Sequence, residues 1–275
     1  MPYSPMQLAE AFVKTGELAD ALDALNQQLD EYPQDKDARR LRIDVFLRLG
    51  GDGDDYLHYA LADITALGAM IVDDYQRLSV LEERLGNVDK AIAAMVKARQ
   101  LSPDNERLTE RLLNLLMSQK KYDEALKLVQ EQEQSWRWLQ YEGDLWVLIG
   151  DDAQAVIVYQ AVLAQLEKYH GVMRADYLQA TKARVILALA HALRRLKQIS
   201  SAREHYQLAQ TLLPKDPTIA FNLGLLDALS DNLERSISRC NAALENAPIL
   251  LRDEMLNSIR DNATYRVLWA KLSDE

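Results

Sequence analysis

Apolar residues return every three or four positions along nearly the whole chain, in stretches separated by glycine, proline, asparagine or aspartate. That spacing places them on one face of an α-helix. Leu8, Ala9, Phe12 and Val13 make the first stripe; Gly16 breaks it, and Ala21, Leu22, Leu25 and Leu29 resume it before Pro33. Asp35 stands where an N-cap is needed for a helix over 36–49. Tyr75, Leu78, Leu81 and Leu85 repeat the pattern, Gly86 interrupts it, and Ala91, Ile92, Ala98 and Leu101 carry it to Pro103. Ser102 and Pro103 read as the cap and first position of the next helix. Leu108, Leu112, Leu115 and Leu116 form the stripe of that helix.

The punctuation itself is periodic. Pro33 follows Gly16 by 17 residues, and Pro103 follows Gly86 by 17. Ala91 to Ala125, Ala202 to Ser236 and Pro214 to Pro248 are each 34 residues apart. Lys120 occupies the place that Gly86 holds one repeat earlier. Two places break step. Gly50-Gly51-Asp52-Gly53-Asp54-Asp55 replaces a tight turn before a helix over 56–67, and Ala155 to Ala202 is 47 residues, a repeat plus 13. The surplus predicts two long helices, one reaching Tyr169 and one over 177–196, protruding as a pair.

A two-helix unit of about 34 residues, with small residues where the helices cross and proline closing the unit, resembles the tetratricopeptide (TPR) repeat. The small positions are Ala21, Ala91, Ala125, Ala155, Ala202 and Ser236. A helical bundle without repeats is the competing reading, and the matched intervals disfavour it. The resemblance implies an all-α fold, a right-handed α-solenoid of about seven helix pairs over residues 1–248, irregular around 50–70 and 165–180. Residues 249–275 then form a C-terminal helical cap, since an array must cover its last apolar face.

Charge and composition narrow the function. The chain carries 48% hydrophobic and 27% charged residues and a net charge of −10. An acidic chain is not expected to bind nucleic acid or an anionic membrane in general, although a locally basic groove is compatible with it. There is no run of 18 apolar residues, and Met1-Pro2-Tyr3-Ser4-Pro5 does not read as a secretory leader. Cys240 is the single cysteine, at helical spacing from Ile237 and Leu244, which reads as a buried thiol in a reducing compartment. The expected location is cytoplasmic.

Catalytic patterns are missing. His58, His170, His191 and His205 are scattered over different units, and no zinc-type pairing, phosphate loop or nucleophile elbow is present. Asp52, Asp54 and Asp55 suggest a calcium loop but lack the twelve-residue spacing and closing glutamate, so a solvated loop is expected. Asn262-Ala263-Thr264 matches a glycosylation sequon that a chain without a leader would leave idle. The chain is not expected to be an enzyme, to hold a metal or to need a cofactor.

TPR proteins line a concave groove with the first helix of each pair. Carried onto this chain, the resemblance places Arg40, Arg77, Arg107, Arg111, Arg137 and Arg184 on or near the lining, with Asn114, Tyr141, Asp144 and Asn222. Arg77, Arg107, Arg111, Asn114, Arg137, Tyr141 and Arg184 are the candidate partner-binding residues. Arginine forks onto carboxylates, so an acidic or carboxylate-bearing segment is the expected guest. The alternative is a solvated stripe balanced by Asp44, Asp73 and Glu110. The clamp that grips a C-terminal carboxylate in chaperone-docking TPR proteins is not supported, because only Asn114 and Arg184 fall near its positions. Trp146 aligns with Phe12 and is expected in the core; of Trp136 and Trp138, which cannot share a helix face, one packs and the other faces out. The expected function is a non-catalytic protein- or peptide-binding scaffold, monomeric or homodimeric. An effector-sensing module is the first alternative, and an RNA-binding helical repeat a weaker one.

Overall fold

The computed structural model describes residues 3–50 and 54–273. Among them are sixteen α-helices and one 3₁₀ turn, with no strand, so the chain is an all-α solenoid of helix pairs. It falls into two compact units, Met1–Lys121 and Tyr122–Glu275. The first contains α1 (Pro5–Thr15), α2 (Leu18–Glu31), α3 (Lys36–Leu49), α4 (Asp54–Ala66), α5 (Val72–Arg84), α6 (Val88–Leu101) and α7 (Glu106–Ser118). The second contains α8 (Tyr122–Gln130), α9 (Trp136–Ile149), α10 (Asp152–Glu167), α11 (Ala175–Arg195), α12 (Ile199–Leu212), α13 (Pro217–Leu229) and α14 (Leu233–Glu245), then α15 (Ile249–Arg260) and α16 (Arg266–Ser273). Within each unit consecutive helices pack as pairs, α1 on α2, α3 on α4, α5 on α6, α9 on α10, α11 on α12 and α13 on α14.

One turn recurs between helices. Gly16, Gly86, Lys120, Gly150, Lys197 and Asp231 all have positive φ, from 55° to 96°. In each case the next residue's N–H reaches back to a carbonyl five residues earlier: Glu17 to Phe12, Asn87 to Glu82, Lys121 to Leu116, Asp151 to Trp146, Gln198 to Leu193 and Asn232 to Asp227, at 2.7–2.9 Å. These are Schellman closures, which satisfy carbonyls that the ending helix leaves open. Five residues after each left-handed residue stands Ala21, Ala91, Ala125, Ala155, Ala202 or Ser236, all 0% exposed. The turn fixes the entry of the second helix, and the small residue lets its backbone approach the first.

The second pair departs from this scheme. Gly50 has φ −69° rather than a left-handed value, and Leu57 stands where the other pairs have alanine. A Cβ on Gly50 would lie 3.0 Å from Leu57 Cδ2, so the glycine makes room for the larger side chain. Of the acidic loop before α4, residues 51–53 lie outside the described residues, and with them Asp52 of the calcium reading.

The joints between pairs have a device of their own. In Tyr32–Asp35, Ser102–Asn105 and Leu213–Asp216 the fourth residue's N–H bonds the first residue's carbonyl at 3.0–3.2 Å, with proline second. Proline's fixed φ suits that position of a β-turn. The closing residue then caps the next helix: Asp35 accepts from Asp37 N–H at 3.0 Å, Asn105 from Arg107 N–H at 3.1 Å, and Asp216 from Thr218 N–H at 2.9 Å. The cap expected at Asp35 is therefore present, and Asp216 repeats it. Ser102 is not a cap: it ends α6, Pro103 sits in the turn, and Asn105 does the capping. The long helices are present as α10 and the 21-residue α11, with α10 ending at Glu167, two residues short of the expected Tyr169.

In the first unit one core joins α1–α3 around Ala9, Leu25 and Val45, and another joins α3–α5 around Ile43, Phe46, Ile64 and Leu81. The second unit has a core from α9 to α13 centred on Tyr159, Leu189 and Tyr206. Its C-terminal helices lay Met255, Ile259, Tyr265, Leu268 and Leu272 over Phe221, Leu225 and Leu244 of the last pair. Cys240 is fully buried there, and burial pushes its thiol up to about 12. His191 is packed edge-on to Tyr206 at 5.5 Å, and burial first, then Arg194 and Arg195, lowers it to about 4.

Three substitutions test this packing by thermal or urea unfolding. Ala91→Leu overpacks a closed crossing and should cost about 1–3 kcal/mol, whereas Lys97→Leu on the exposed side of the same helix should change stability by less than about 0.5 kcal/mol. Leu268→Ala, in the layer covering α13 and α14, should cost about 2–5 kcal/mol.

Candidate partner-binding surface

In the first unit the arginines of α3 and α5 are tied to each other's helices. Arg40 forks onto Asp74 with both bonds at 2.9 Å, and Arg77 forks onto Asp44 at 2.7 and 2.9 Å. The partners are 34 and 33 residues apart, so each pair joins one repeat to the next. Arg77 also lies 3.6 Å from Asp74, which is 0% exposed. Burial alone would push Asp74 up, but the Arg40 fork, the Ile71 N–H and the nearby charge of Arg77 together hold it below its ordinary value. Arg77 is raised, first by its bonds to Asp44. Arg40 and Arg77 thus bind the scaffold's own carboxylates, and the balancing role expected for Asp44 is visible. Asp73 and Glu110, the other two balancing residues named, are on α5 and α7.

The remaining candidates of this unit lie on α7. Arg107, Arg111 and Asn114 follow at i, i+4 and i+7, one stripe of the helix. Arg107 and Asn114 are exposed, while Arg111 is half-buried and paired with Glu83 of α5.

In the second unit the structure brings the other three candidates together. Arg137 and Tyr141 from α9 and Arg184 from α11 line one cavity of about 200 Å³ with Trp136, Gln140 and Tyr177. Helix spacing explains the grouping: Trp136, Gln140 and Tyr141 are within one turn and a half of α9, and Tyr177 precedes Arg184 by two turns of α11. The lining offers two guanidinium groups, an amide, an indole and two phenols, with no carboxylate. Trp138 is buried below, its ring 5.7 Å from that of Tyr141, and Arg184 bonds Thr181 Oγ1 at 3.4 Å. Trp146 is partly buried against the core, as expected.

Asp144, two turns beyond Arg137 on α9, is engaged from beneath. The Tyr159 hydroxyl donates to its Oδ1 at 2.6 Å. Desolvation dominates that bond and raises the carboxyl above its usual range. The close approach of Tyr159 depends on Gly143, where a Cβ would meet the ring at 2.6 Å. Asn222 is likewise turned inward, accepting from the Tyr206 hydroxyl at 3.3 Å. Trp136 is partly buried against the core and Trp138 is buried, so neither of the two faces fully out as the sequence predicts for one of them. Gln140 carries no signal of its own in the sequence, and Tyr177 is legible only through its spacing from Arg184. Among the described residues no group of histidine, cysteine and carboxylate side chains is placed to hold a metal ion, and no helix is long and apolar enough to cross a membrane.

Two carboxylates should answer to pH with opposite signs. Asp74 has a lowered folded pKa, so its stabilisation is present above the unfolded value of 3.8 and is lost as pH falls. Asp74→Asn should therefore cost about 3 kcal/mol at neutral pH, a difference that shrinks in acid. Asp144 has a raised folded pKa, so its charge destabilises the native state once pH rises past that raised value. Asp144→Asn should keep or raise the melting temperature at pH 7, while Tyr159→Phe, which removes the donor, should lower stability by about 1–3 kcal/mol. Melting curves taken from pH 7 down to about pH 2.5, below the unfolded value of both carboxyls, check both signs.

Comparison with known proteins agrees with the architecture. Residues 6–54 and 84–134 each match a tetratricopeptide-repeat family model. No curated protein sequence matches the chain. Among solved structures, the C-terminal part of a TPR repeat-containing protein from Cytophaga hutchinsonii superposes with a TM-score of 0.59 at 13% identity, covering 90% of this chain and 94% of that one. MamA from Desulfovibrio magneticus RS-1 gives 0.52 at 16% identity over 64% of this chain and 94% of its own. YrrB, described as a TPR protein with an unusual peptide-binding site, gives 0.50 at 14% identity over 76% of this chain and all of its own. At such identities the likeness concerns the fold. Together with the two family matches and the repeated turn, it makes this chain a tetratricopeptide-repeat protein.

Proposed function

We propose that this protein is a non-catalytic scaffold that holds a protein or peptide on the first helices of its repeats, and that an acidic or carboxylate-bearing segment is its guest. The observation that carries this reading is the cavity between α9 and α11, where Arg137 and Arg184 line the same space beside Tyr141, Tyr177, Gln140 and Trp136. Guanidinium groups fork onto carboxylates, and tyrosine hydroxyls and the glutamine amide supply further donors. The apolar flanks of Trp136 and the tyrosines suit the stem of a glutamate or aspartate. Peptide binding by a TPR protein has a parallel in YrrB, whose structure is described by its peptide-binding site.

On α7, in the first unit, Arg107, Arg111 and Asn114 form a separate candidate stretch, with Arg111 already shared with Glu83. Arg77 has a lesser part in the proposal, because Asp44 and Asp74 occupy its guanidinium. Exposed pairs contribute about 0.2–1 kcal/mol each, so several must act together.

The test is a titration with acidic peptides selected from a library. Arg137→Glu with Arg184→Glu should weaken binding by at least about tenfold at low ionic strength while circular dichroism stays unchanged. Full affinity in that double variant would place the guest elsewhere.

A further inference from the structure

A second cluster of arginines lies on the other helices of the pairs. Asp227 of α13 is 2% exposed and is approached by three guanidinium groups. Arg203 of α12 bonds it at 2.9 Å, Arg239 of α14 at 2.8 Å, and Arg235 of α14 lies at 3.5 Å. One buried carboxylate cannot balance three cations. Arg235 and Arg239 also stand at i and i+4, where like charges repel. The chain as a whole has a net charge of −10, so this local excess runs against its own composition.

One member of the cluster, Arg239, also lines a trough. Helices α12 and α14 both pack on α13. Between them lies a space of about 510 Å³ lined by Gln210, Lys215, Asp216, Arg239, Ala242 and Asn246. Asp216 is occupied in capping, bonding the Thr218 N–H and hydroxyl. Lys215 therefore adds a cation at the far end, with two amides between. Arg235, Arg239, Ala242 and Asn246 recur at helical spacing along one strip of α14, whereas Glu234 and Glu245 fall on another. From Arg235 to Asn246 is about 16 Å at 1.5 Å per residue, the length of about five residues of extended chain.

We propose that this trough is a second docking surface, separate from the cavity between α9 and α11, and that it takes an extended acidic polypeptide segment of about five residues. Carboxylates at one end of the segment meet Arg235, Arg239 and Arg203, and one at the other end meets Lys215. Asp227 holds the guanidinium groups in place beforehand, which lowers the ordering cost of binding. A scaffold with two such surfaces joins two acidic segments at once.

The experiment is a fluorescence anisotropy titration of the full chain with a labelled pentaglutamate peptide blocked at both ends, so that no terminal carboxylate takes part. Binding is expected at low ionic strength and should weaken as salt is added. Arg235→Gln with Lys215→Gln, both at exposed positions, should reduce it about tenfold. Ala242→Glu, which puts a like charge in the trough lining, should abolish the binding that remains when Arg137 and Arg184 are both replaced by Gln. Arg137→Gln with Arg184→Gln should itself leave binding within about twofold. No binding at low salt overturns the proposal, as does a loss caused by the Arg137 and Arg184 variant in place of the trough variants. Tighter binding of a short oligothymidylate through Arg235 and Lys215 would overturn the choice of a polypeptide guest.

Discussion

The left-handed turn closed by a bond across six residues is the constraint on which the other features rest. It ends one helix, satisfies its last carbonyls and starts the next within two residues. Because the turn geometry is fixed, the position five residues later lands at the crossing of the two helices, and only alanine or serine stands there in the five pairs within the units that use it. Where the turn is absent, as between α3 and α4, the small residue is absent too, and Leu57 packs over Gly50. Turn and crossing are therefore one device.

Buried carboxylates form the second layer of organisation. Asp63 accepts from Arg39 and Arg42, Asp74 from Arg40, and Asp227 from Arg203 and Arg239. In each case arginines of neighbouring helices converge on one acid, which fixes the helices' spacing and aims what remains of each guanidinium. Asp144 is the contrast: it meets a tyrosine hydroxyl in place of a cation, and its pKa moves the other way. Arginine count is thus a poor guide to binding capacity in this chain. What marks out Arg137 and Arg184 is that both line one cavity, whereas Arg40 and Arg77 are forked onto Asp74 and Asp44.

Repeat period, helix order and the crossing positions were legible in the sequence because they are local: each follows from glycine, proline and alanine at fixed intervals. Asn105 was legible in principle, since Pro33 to Asp35, Pro103 to Asn105 and Pro214 to Asp216 share one spacing. Ser102 drew the assignment because serine before proline is itself a strong start signal. The ion pairs were harder. Arg77 and Asp44 are 33 residues apart, and only the repeat register brings them together. The cavity was partly legible, since Arg137, Tyr141 and Arg184 follow from the register, but Gln140 and Tyr177 join through the angle between α9 and α11. The trough is not legible from the groove register, because Arg203, Arg235 and Arg239 stand on second helices, α12 and α14.

Three of the six turns put a side chain where backbone sterics favour none. Lys120, Lys197 and Asp231 have φ of 55°, 60° and 57°, while the turns after α1, α5 and α9 use glycine. A non-glycine residue in that conformation carries strain of about 1 kcal/mol or more. In a repeat array, where stability is a sum of unit and neighbour terms, such strain stays where it arises. The turns after α7, α11 and α13 are therefore the joints at which helices part most cheaply. The chain has a graded mechanical profile, with stiff and yielding hinges set by single residues.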